Sequence, residues 1–429
     1  MIDIELLRES PQEVLGNLAR RQDPSYVALA EEVRRLDEGW REARRSADAL
    51  RQRRNELSRS IAEARRRGAP AVALETEARE LPGRLEELAR REEELRTARD
   101  RALRRLPNLI DPSVPVGRDD RDNVVVSTWG EPDRSDRPRR SHGDLLEALG
   151  LAEFDRARRC SGAGFYYLKG DAALVDLALQ RFALDLLVER GFVAVAPPIL
   201  LRREPYEGVT DLADFEKVMY PIAGEDLYLI ATSEHPLATL RMGEILDEDE
   251  LPIRLAGVSP CFRKEIGGHG VDQKGIFRVH QFQKVEQFVY CRPEDSPRIH
   301  EELRQNAEEI FRRLGIPYRV VNVCTGDLGT VAAKKYDIEA WFAKQQAYRE
   351  VVSCSNCTDY QARRLGIRLG RAGRSGKRVP HTLNSTAIAT SRALAAIVEQ
   401  YQRDDGSVEI PAALRPYVGG RERLGPPGR

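Results

Sequence analysis

Cys261-Phe262-Arg263-Lys264-Glu265 ends a predicted strand, and after a glycine-rich loop the chain returns as Arg278-Val279-His280-Gln281-Phe282-Gln283-Lys284-Val285-Glu286. Period-two alternation puts Arg263 and Glu265 on one face of their strand, and Arg278, His280 and Phe282 on one face of the next. An arginine fork grips phosphate or carboxylate in a bidentate manner, and Phe282 offers a flat ring to a heterocycle. Two arginines on one face repel, so a polyanionic ligand is expected between them. A surface salt-bridge ladder would use the same residues. The intervening loop, residues 266–275, carries glycines that permit close backbone approach and a lysine, Lys274, able to meet phosphate. An ordinary flexible hairpin has the same composition.

Outward from this pair, apolar runs at residues 191–198, 227–230 and 287–290 predict further strands, while 174–189, 296–314 and 387–401 have helical spacing. The strands are irregularly spaced, with long polar inserts, which argues against a regular βαβ array. The expected class is α+β, with a mostly antiparallel sheet flanked by helices. Neither a Gly-x-Gly-x-x-Gly fingerprint nor a Walker loop occurs, so a nucleotide here would be held by side chains of a different kind of site.

Toward the N-terminus the pattern changes. Leu29, Val33, Leu36, Trp40, Ala43, Ala47, Leu50, Leu57, Ile61 and Ala64 recur at steps of three and four, with Arg54 in the same stripe. A second stripe through Leu74, Ala78, Leu81, Leu85, Leu88, Leu95, Ala102 and Leu106 is interrupted at Glu92 and Arg99. Each stripe is a narrow seam that a partner helix must cover, and Arg67-Gly68-Ala69-Pro70 is short enough to reverse the chain. An antiparallel coiled coil follows, each arm roughly 50 Å long. Pro82 is expected to kink or interrupt the returning helix. Residues 1 to about 26 form a small helical base, with a helix opening near Pro11. The domain boundaries expected are 1–106 for base and arm, 107–140 for a polar connector, and 141–429 for a compact domain.

The 429 residues carry 69 Lys+Arg and 69 Asp+Glu, so no global positive field marks a nucleic-acid binder. Local charge is another matter. Arg44, Arg51 and Arg59 belong to a run of arginines on the outgoing helix, which suits either a solvated coiled-coil surface or a phosphate-binding face. Six cysteines lack the density of a disulfide scaffold and fit a reducing, cytoplasmic setting. Met1-Ile2-Asp3-Ile4-Glu5 is not a basic segment followed by an apolar one, and no apolar run approaches about 20 residues, so secretion and membrane spanning are not expected.

Other segments carry candidate chemistry. Thr232-Ser233-Glu234 at a strand end suits a substrate ammonium group, or a helix cap with an acidic first turn. His381-Thr382-Leu383-Asn384-Ser385-Thr386 leads toward a helix, where Ser385 and Thr386 would serve as caps; Arg392, on that alanine-rich helix, needs an anionic partner. Cys354 and Cys357 have the spacing of a metal knuckle, but no second such pair exists, and buried packing thiols are favoured. Glu350 and Ser353 are oxygen ligands of the kind magnesium accepts beside phosphates.

At these residues the sequence closely resembles the seryl-tRNA synthetases, a class II aminoacyl-tRNA synthetase family. The stretch 191–198 is similar to the family's first motif, Phe262-Arg263-x-Glu265 through Glu286 to its second, and the helix bearing Arg392 to its third. The resemblance also takes in Thr232-Ser233-Glu234, Ser353-Cys354-Ser355-Asn356-Cys357 and the N-terminal arm. It implies an antiparallel sheet binding ATP, with Arg263 on the α-phosphate and amino-acid carboxylate, Phe282 stacked on adenine and Arg392 on its other face reaching the γ-phosphate. Arg278 belongs to the same ATP set. Glu265 would meet adenine or the acceptor end, and Glu350 and Ser353 would hold Mg2+.

Thr232 and Glu234 would orient the ammonium of L-serine, with Glu286, Asn384 and Thr386 around its hydroxyl. Arg44, Arg51, Arg59 and Lys274 would contact tRNA. Serine tRNA is the implied partner, selenocysteine tRNA a second candidate, and residues 141–429 a catalytic and homodimerisation domain. The chain departs from many bacterial members at Asn384-Ser385-Thr386 and at His235 after the glutamate, which suggests a different branch. Two other readings share some of these features: an amino-acid:carrier-protein ligase, which commonly lacks the arm, and a noncatalytic tRNA-binding homologue.

Overall fold

The computed structural model describes residues 1–210, 217–265, 275–370 and 378–425, in two compact units, Met1–Leu109 and Ile110–Arg429. In the first, α1 (Ile4–Glu9) and α2 (Pro11–Ala19) precede two long helices, α3 (Pro24–Arg66) and α4 (Val72–Arg105). Pro11 and Pro24 sit in first turns, where the missing N–H costs nothing. The 43 residues of α3 span roughly 64 Å and the 34 of α4 roughly 51 Å.

A Schellman motif closes α3: Gly68 takes the left-handed conformation (φ 67°), and the Ala69 N–H reaches the Ala64 carbonyl at 2.9 Å. Helix α4 runs through Pro82 without interruption. That proline is exposed, so the carbonyl it strands one turn back can turn toward water.

The seam is as the stripes require, with Leu29, Val33, Ala43, Ala47, Leu57, Leu81 and Ala102 buried. Arg53 joins the two helices through a bidentate pair to Glu77 at 2.7 and 2.8 Å, and Arg65 through Glu75 at 2.7 Å. Arg99, which interrupts the stripe, reaches the buried carboxylate of Asp37 at 3.1 Å and lies 4.5 Å from the Trp40 ring. Arg8 grips the same carboxylate at 2.7 and 2.8 Å. Arg44, Arg51 and Arg59 are exposed on α3, with Arg51 bonded to Asp48 at 2.6 Å.

The second unit is built on an eight-stranded sheet. Its strands are β1 (Val124–Trp129), β2 (Val193–Val195), β3 (Ile253–Phe262), β4 (Gln281–Cys291), β5 (Tyr318–Asn322), β6 (Lys334–Phe342), β7 (Ala347–Asn356) and β8 (His381–Ala389). In space they run β1-β5-β6-β7-β8-β4-β3-β2, antiparallel except for the edge pair β2 and β3. Helices α5 (Gly170–Glu189), α7 (Ser296–Arg313) and α8 (Thr390–Gln400) share one core with the sheet through Leu179, Phe311 and Leu394 against Val285 and Ile338. A short α6 (Glu234–Thr239) packs by Leu237 against Leu255 and Phe288. The fold is α+β, with the antiparallel sheet and the helical pair expected from sequence.

Local boundaries differ in three places. Residues 263–265 lie beyond β3 and 278–280 before β4: one further bond joins them, from the Arg263 N–H to the His280 carbonyl, and then the backbones part, the Lys264 N–H meeting the Val218 carbonyl and the His280 N–H that of Gly164. Ser385 and Thr386 lie inside β8, so they are strand residues and not helix caps. The stretch 107–140 contributes β1 to the sheet. Among the described residues no helix is long and apolar enough to cross a membrane.

Candidate active site

Three central strands supply the site. β4 presents Phe282, Lys284 and Glu286 at alternate positions, and Thr386 on β8 stands directly opposite Glu286. Two bulges set the remaining side chains. In β7 the pairing skips Val351, so Glu350 and Ser353, three residues apart, share a face that regular alternation would deny them. Val351 and Val352 both enter the core on the other side. In β8 the pairing skips Ala387 in the same way, leaving Asn384 and Thr386 on the site and sending Ala387 and Ile388 into the core. Gly257 on β3 admits α6: a Cβ there would lie 2.8 Å from Leu237 and 3.1 Å from Ser233.

Thr232, Glu234, Arg263, Lys284, Glu286, Ser353 and Asn384 line one cavity of about 310 Å3. Lys284 is the hub, its ammonium 2.6 Å from Glu286 Oε2 and donating to Thr232 Oγ1 at 3.0 Å. Glu234 Oε1 accepts from Gln361 Nε2 at 2.7 Å and from Asn384 Nδ2 at 3.0 Å. Burial, then the neighbouring Glu286, pushes the Glu234 carboxyl up to about 7, against the pull of Lys284 and Arg263. Burial likewise raises Glu286, with Lys284 opposing. His235 lies against Tyr206 with ring centroids 4.7 Å apart, and burial beside Arg263 and Lys284 holds its pKa down to about 3, so it is neutral. Two carboxylates facing one lysine leave a place for a second cation.

The arginines divide between partners. Arg263 donates from Nε to the Ala231 carbonyl at 3.1 Å, and its guanidinium stands 5.4 Å from the Phe282 ring centroid. Arg392 donates to the Glu350 carbonyl at 2.9 Å, is 3.5 Å from the Glu350 carboxylate, and lies 5.0 Å from the Phe277 ring. Arg278 is bound to Glu265 at 2.7 Å and is not among the residues lining the cavity. The structure thus brings together Arg263 with Phe282 and Arg392 with Glu350, and gives Arg278 to Glu265. Lys274, with the loop expected to meet an acceptor end, lies outside the described residues.

Sequence reasoning missed two residues. Lys284 had a signal, since alternation puts it between Phe282 and Glu286 on the same face. Gln361 had none, for it reaches Glu234 across 127 positions from a short helix, Tyr360–Arg364. Cys354 and Cys357 are buried thiols outside any disulfide, and burial holds both well up from the usual thiol range. Among the described residues no group of three His, Cys, Asp or Glu side chains is arranged to hold a metal. Glu350 and Ser353 fit magnesium in a different way: they are hard oxygen donors that the bulge puts on one face, with the Glu350 side chain 48% exposed.

The tRNA synthetase class II core domain (G, H, P, S and T) matches residues 218–401, and the seryl-tRNA synthetase N-terminal domain matches residues 1–110. The serine--tRNA ligase of Methanocella arvoryzae is 56% identical over 99% of this chain and 100% of its own length. The crystal structure of seryl-tRNA synthetase from Pyrococcus horikoshii complexed with ATP superposes with a TM-score of 0.96 at 50% identity, covering 100% of both chains. That of the cytoplasmic serine-tRNA ligase from Naegleria fowleri in complex with AMP gives 0.91 at 34% identity, covering 99% of both. Identity of this order, sustained through arm and sheet alike, places the chain in the seryl-tRNA synthetase family.

Proposed function

We infer that the chain is a serine--tRNA ligase that makes seryl-adenylate from serine and ATP and then charges tRNA. The observation that carries this is the single cavity in which a buried acid pair, a hydroxyl, an amide and Arg263 converge, on a chain similar throughout to such ligases. In the first step a serine carboxylate oxygen attacks the α-phosphorus and pyrophosphate leaves. In the second the terminal ribose hydroxyl of tRNA attacks the acyl carbon, AMP leaves with the bonding electrons, and the hydroxyl proton is lost. No enzyme nucleophile is required, so catalysis rests on placement and on stabilising charge at phosphorus oxygens.

The surroundings of these residues support the roles that the resemblance implies. Arg263, fixed by the Ala231 carbonyl, binds the serine carboxylate and the α-phosphate. Phe282 beneath it offers a stacking face for adenine, and Arg392 and Arg278 serve the outer phosphates, the latter on leaving Glu265. Glu265 then turns to adenine or the acceptor end. Thr232 and Glu234 take the ammonium; Glu286, Asn384 and Thr386 surround the serine hydroxyl. Glu350 and Ser353 would hold Mg2+, which when bound neutralises and polarises phosphate oxygens.

The arm is the tRNA-binding unit, with Arg44, Arg51 and Arg59 toward phosphates and Lys274 at the acceptor end. Residues 110–429 carry the chemistry and the homodimer contact. Support for the dimer comes from α5 and the edge strand β2, which leave Leu177 61%, Val188 49% and Val193 61% exposed. A cytoplasmic setting accords with six cysteines outside any disulfide. Selenocysteine tRNA is a second candidate acceptor, to be compared with serine tRNA as a purified transcript.

Incubation with ATP, Mg2+, labelled serine, total tRNA and a phosphopantetheinylated carrier protein tests the function. Label on tRNA is expected; label on a carrier-protein thiol, or none, would overturn it. Arg263→Ala should lower serine-dependent pyrophosphate exchange by roughly a hundred- to a thousandfold, the scale for losing a charge-stabilising donor.

A further inference from the structure

Glu234 does not hold itself in place. Its carboxylate depends on Gln361, a residue 0% exposed whose amide has every polar atom engaged. Gln361 Nε2 donates to Glu234 Oε1 at 2.7 Å and to the Val209 carbonyl at 3.4 Å, while Oε1 accepts the hydroxyl proton of Thr382 at 2.7 Å. This fixes the amide's sense. Turned over, its oxygen would face a carboxylate and a carbonyl, and its NH2 would face a hydroxyl already able to donate. Thr382 is itself 0% exposed and pinned in β8, its N–H bonded to the Thr358 carbonyl at 2.8 Å. Both donors to the Glu234 carboxylate among the described residues meet Oε1, so Oε2 is the oxygen left for a substrate.

We propose that Gln361, oriented by Thr382, is a positioning residue that keeps Glu234 ionised and aimed as the acceptor of the serine ammonium group. The proposal rests on the serine-activating reading above and adds a residue pair to it. The other charged groups facing Glu234 are Lys284 and Glu286 from β4 and Arg263 beyond β3; His235 on α6 is neutral, and the Cys357 thiol follows β7. Lys284 is committed to Glu286 and Thr232, so the amide donors are the groups that hold Glu234 Oε1 directly. The carboxyl sits near neutrality already, so a further rise on losing Gln361 would leave it protonated at working pH.

The experiment is serine- and ATP-dependent pyrophosphate exchange across pH 5.5–9 with the full-length chain. In Gln361→Met the acid limb of kcat/KM for serine should move up by about one pH unit or more, with roughly a ten- to hundredfold loss at pH 7, as for one charged hydrogen bond. The KM for ATP should stay within about twofold, since Gln361 touches no predicted nucleotide contact. Thr382→Val should shift the limb in the same direction and Thr382→Ser should restore it. A folded Gln361→Met variant whose limb and serine KM match the parent's would overturn the proposal. If that variant does not fold, the threonine pair decides, and equal behaviour of Val and Ser at position 382 would overturn it. A parent chain that made no seryl-adenylate would instead overturn the function.

Discussion

Glu234 and Glu286 face one cavity with a single buried lysine committed to the second of them, so the first waits for a cation from outside. Its carboxyl, raised to about 7, is protonated in acid, and a neutral acid cannot balance a substrate ammonium. The kcat/KM for serine should therefore climb as pH rises toward 7 and level above it, and Glu234→Gln should flatten that limb while losing roughly a hundredfold at pH 8. For stability the sign is opposite. A carboxyl held above its unfolded value near 4.3 binds its proton more tightly in the native state, so stability is fullest in acid and falls as pH rises through the folded value. Glu234→Gln should thus be at least as heat-stable as the parent at pH 8, which calorimetry can check; a lower Tm there would contradict the assignment. Thr232 and Glu234 could be read from sequence because an ammonium group needs an acid and an acceptor, whereas Glu286 and Asn384 came into the serine-hydroxyl set through the family resemblance. Gln361 could not, because a neutral amide on a short helix has no ligand-like signature until the fold sets it against Glu234.

The elements were legible where periodicity is strong and illegible where an extra residue breaks it. Both stripes of the arm give continuous helices, and the sheet follows from its apolar runs. The bulges at Val351 and Ala387 carry no local mark, yet they decide which side chains face the cavity. Arg99 shows the same limit in a helix. It reads as a flaw in an apolar seam, but Asp37 on the other helix of the hairpin answers it, and Arg8 and Arg41 join them. Burial opposes the charge on Asp37, but Arg8 and Arg99 hold its carboxyl below the usual range, so its contribution to stability exists above that range and is lost as pH falls through the folded value. Asp37→Ala takes one partner from Arg99, which is 12% exposed and keeps Asp100 at 2.7 Å, and should destabilise the first unit by about 1.5–3 kcal/mol, the scale of a charged hydrogen bond. Hydrogen exchange in α3 and α4 at pH 7 reads this directly, and unchanged protection would show the cluster to be decorative.

On the scale of the whole molecule, two separately packed units let the proposed tRNA-binding and adenylating roles be tested apart. The base of the arm has its own core, in which Leu7, Val14 and Leu18 pack with Leu29, Val33, Ala102 and Leu103, so a truncation that cut into residues 29–36 or 102–106 would unfold it. A better place is available further out. A Cβ at Gly39 would lie 3.5 Å from Leu95, which marks where α3 and α4 run side by side beyond the Asp37 cluster. Replacing residues 44–91 with a turn of about four residues keeps that crossing, the cluster and the base core while removing Arg44, Arg51 and Arg59. The proposed contacts of the first step all lie within residues 110–429, so serine-dependent pyrophosphate exchange should survive within about twofold. Charging of serine tRNA at fixed, subsaturating tRNA concentration should fall by roughly a hundredfold or more, as expected when several phosphate contacts are lost together, and the loss should shrink at high salt, where those contacts contribute least. Equal loss of exchange and charging in a folded truncation would mean that the helices hold the catalytic unit in its working form; charging that survived would move the tRNA contact elsewhere.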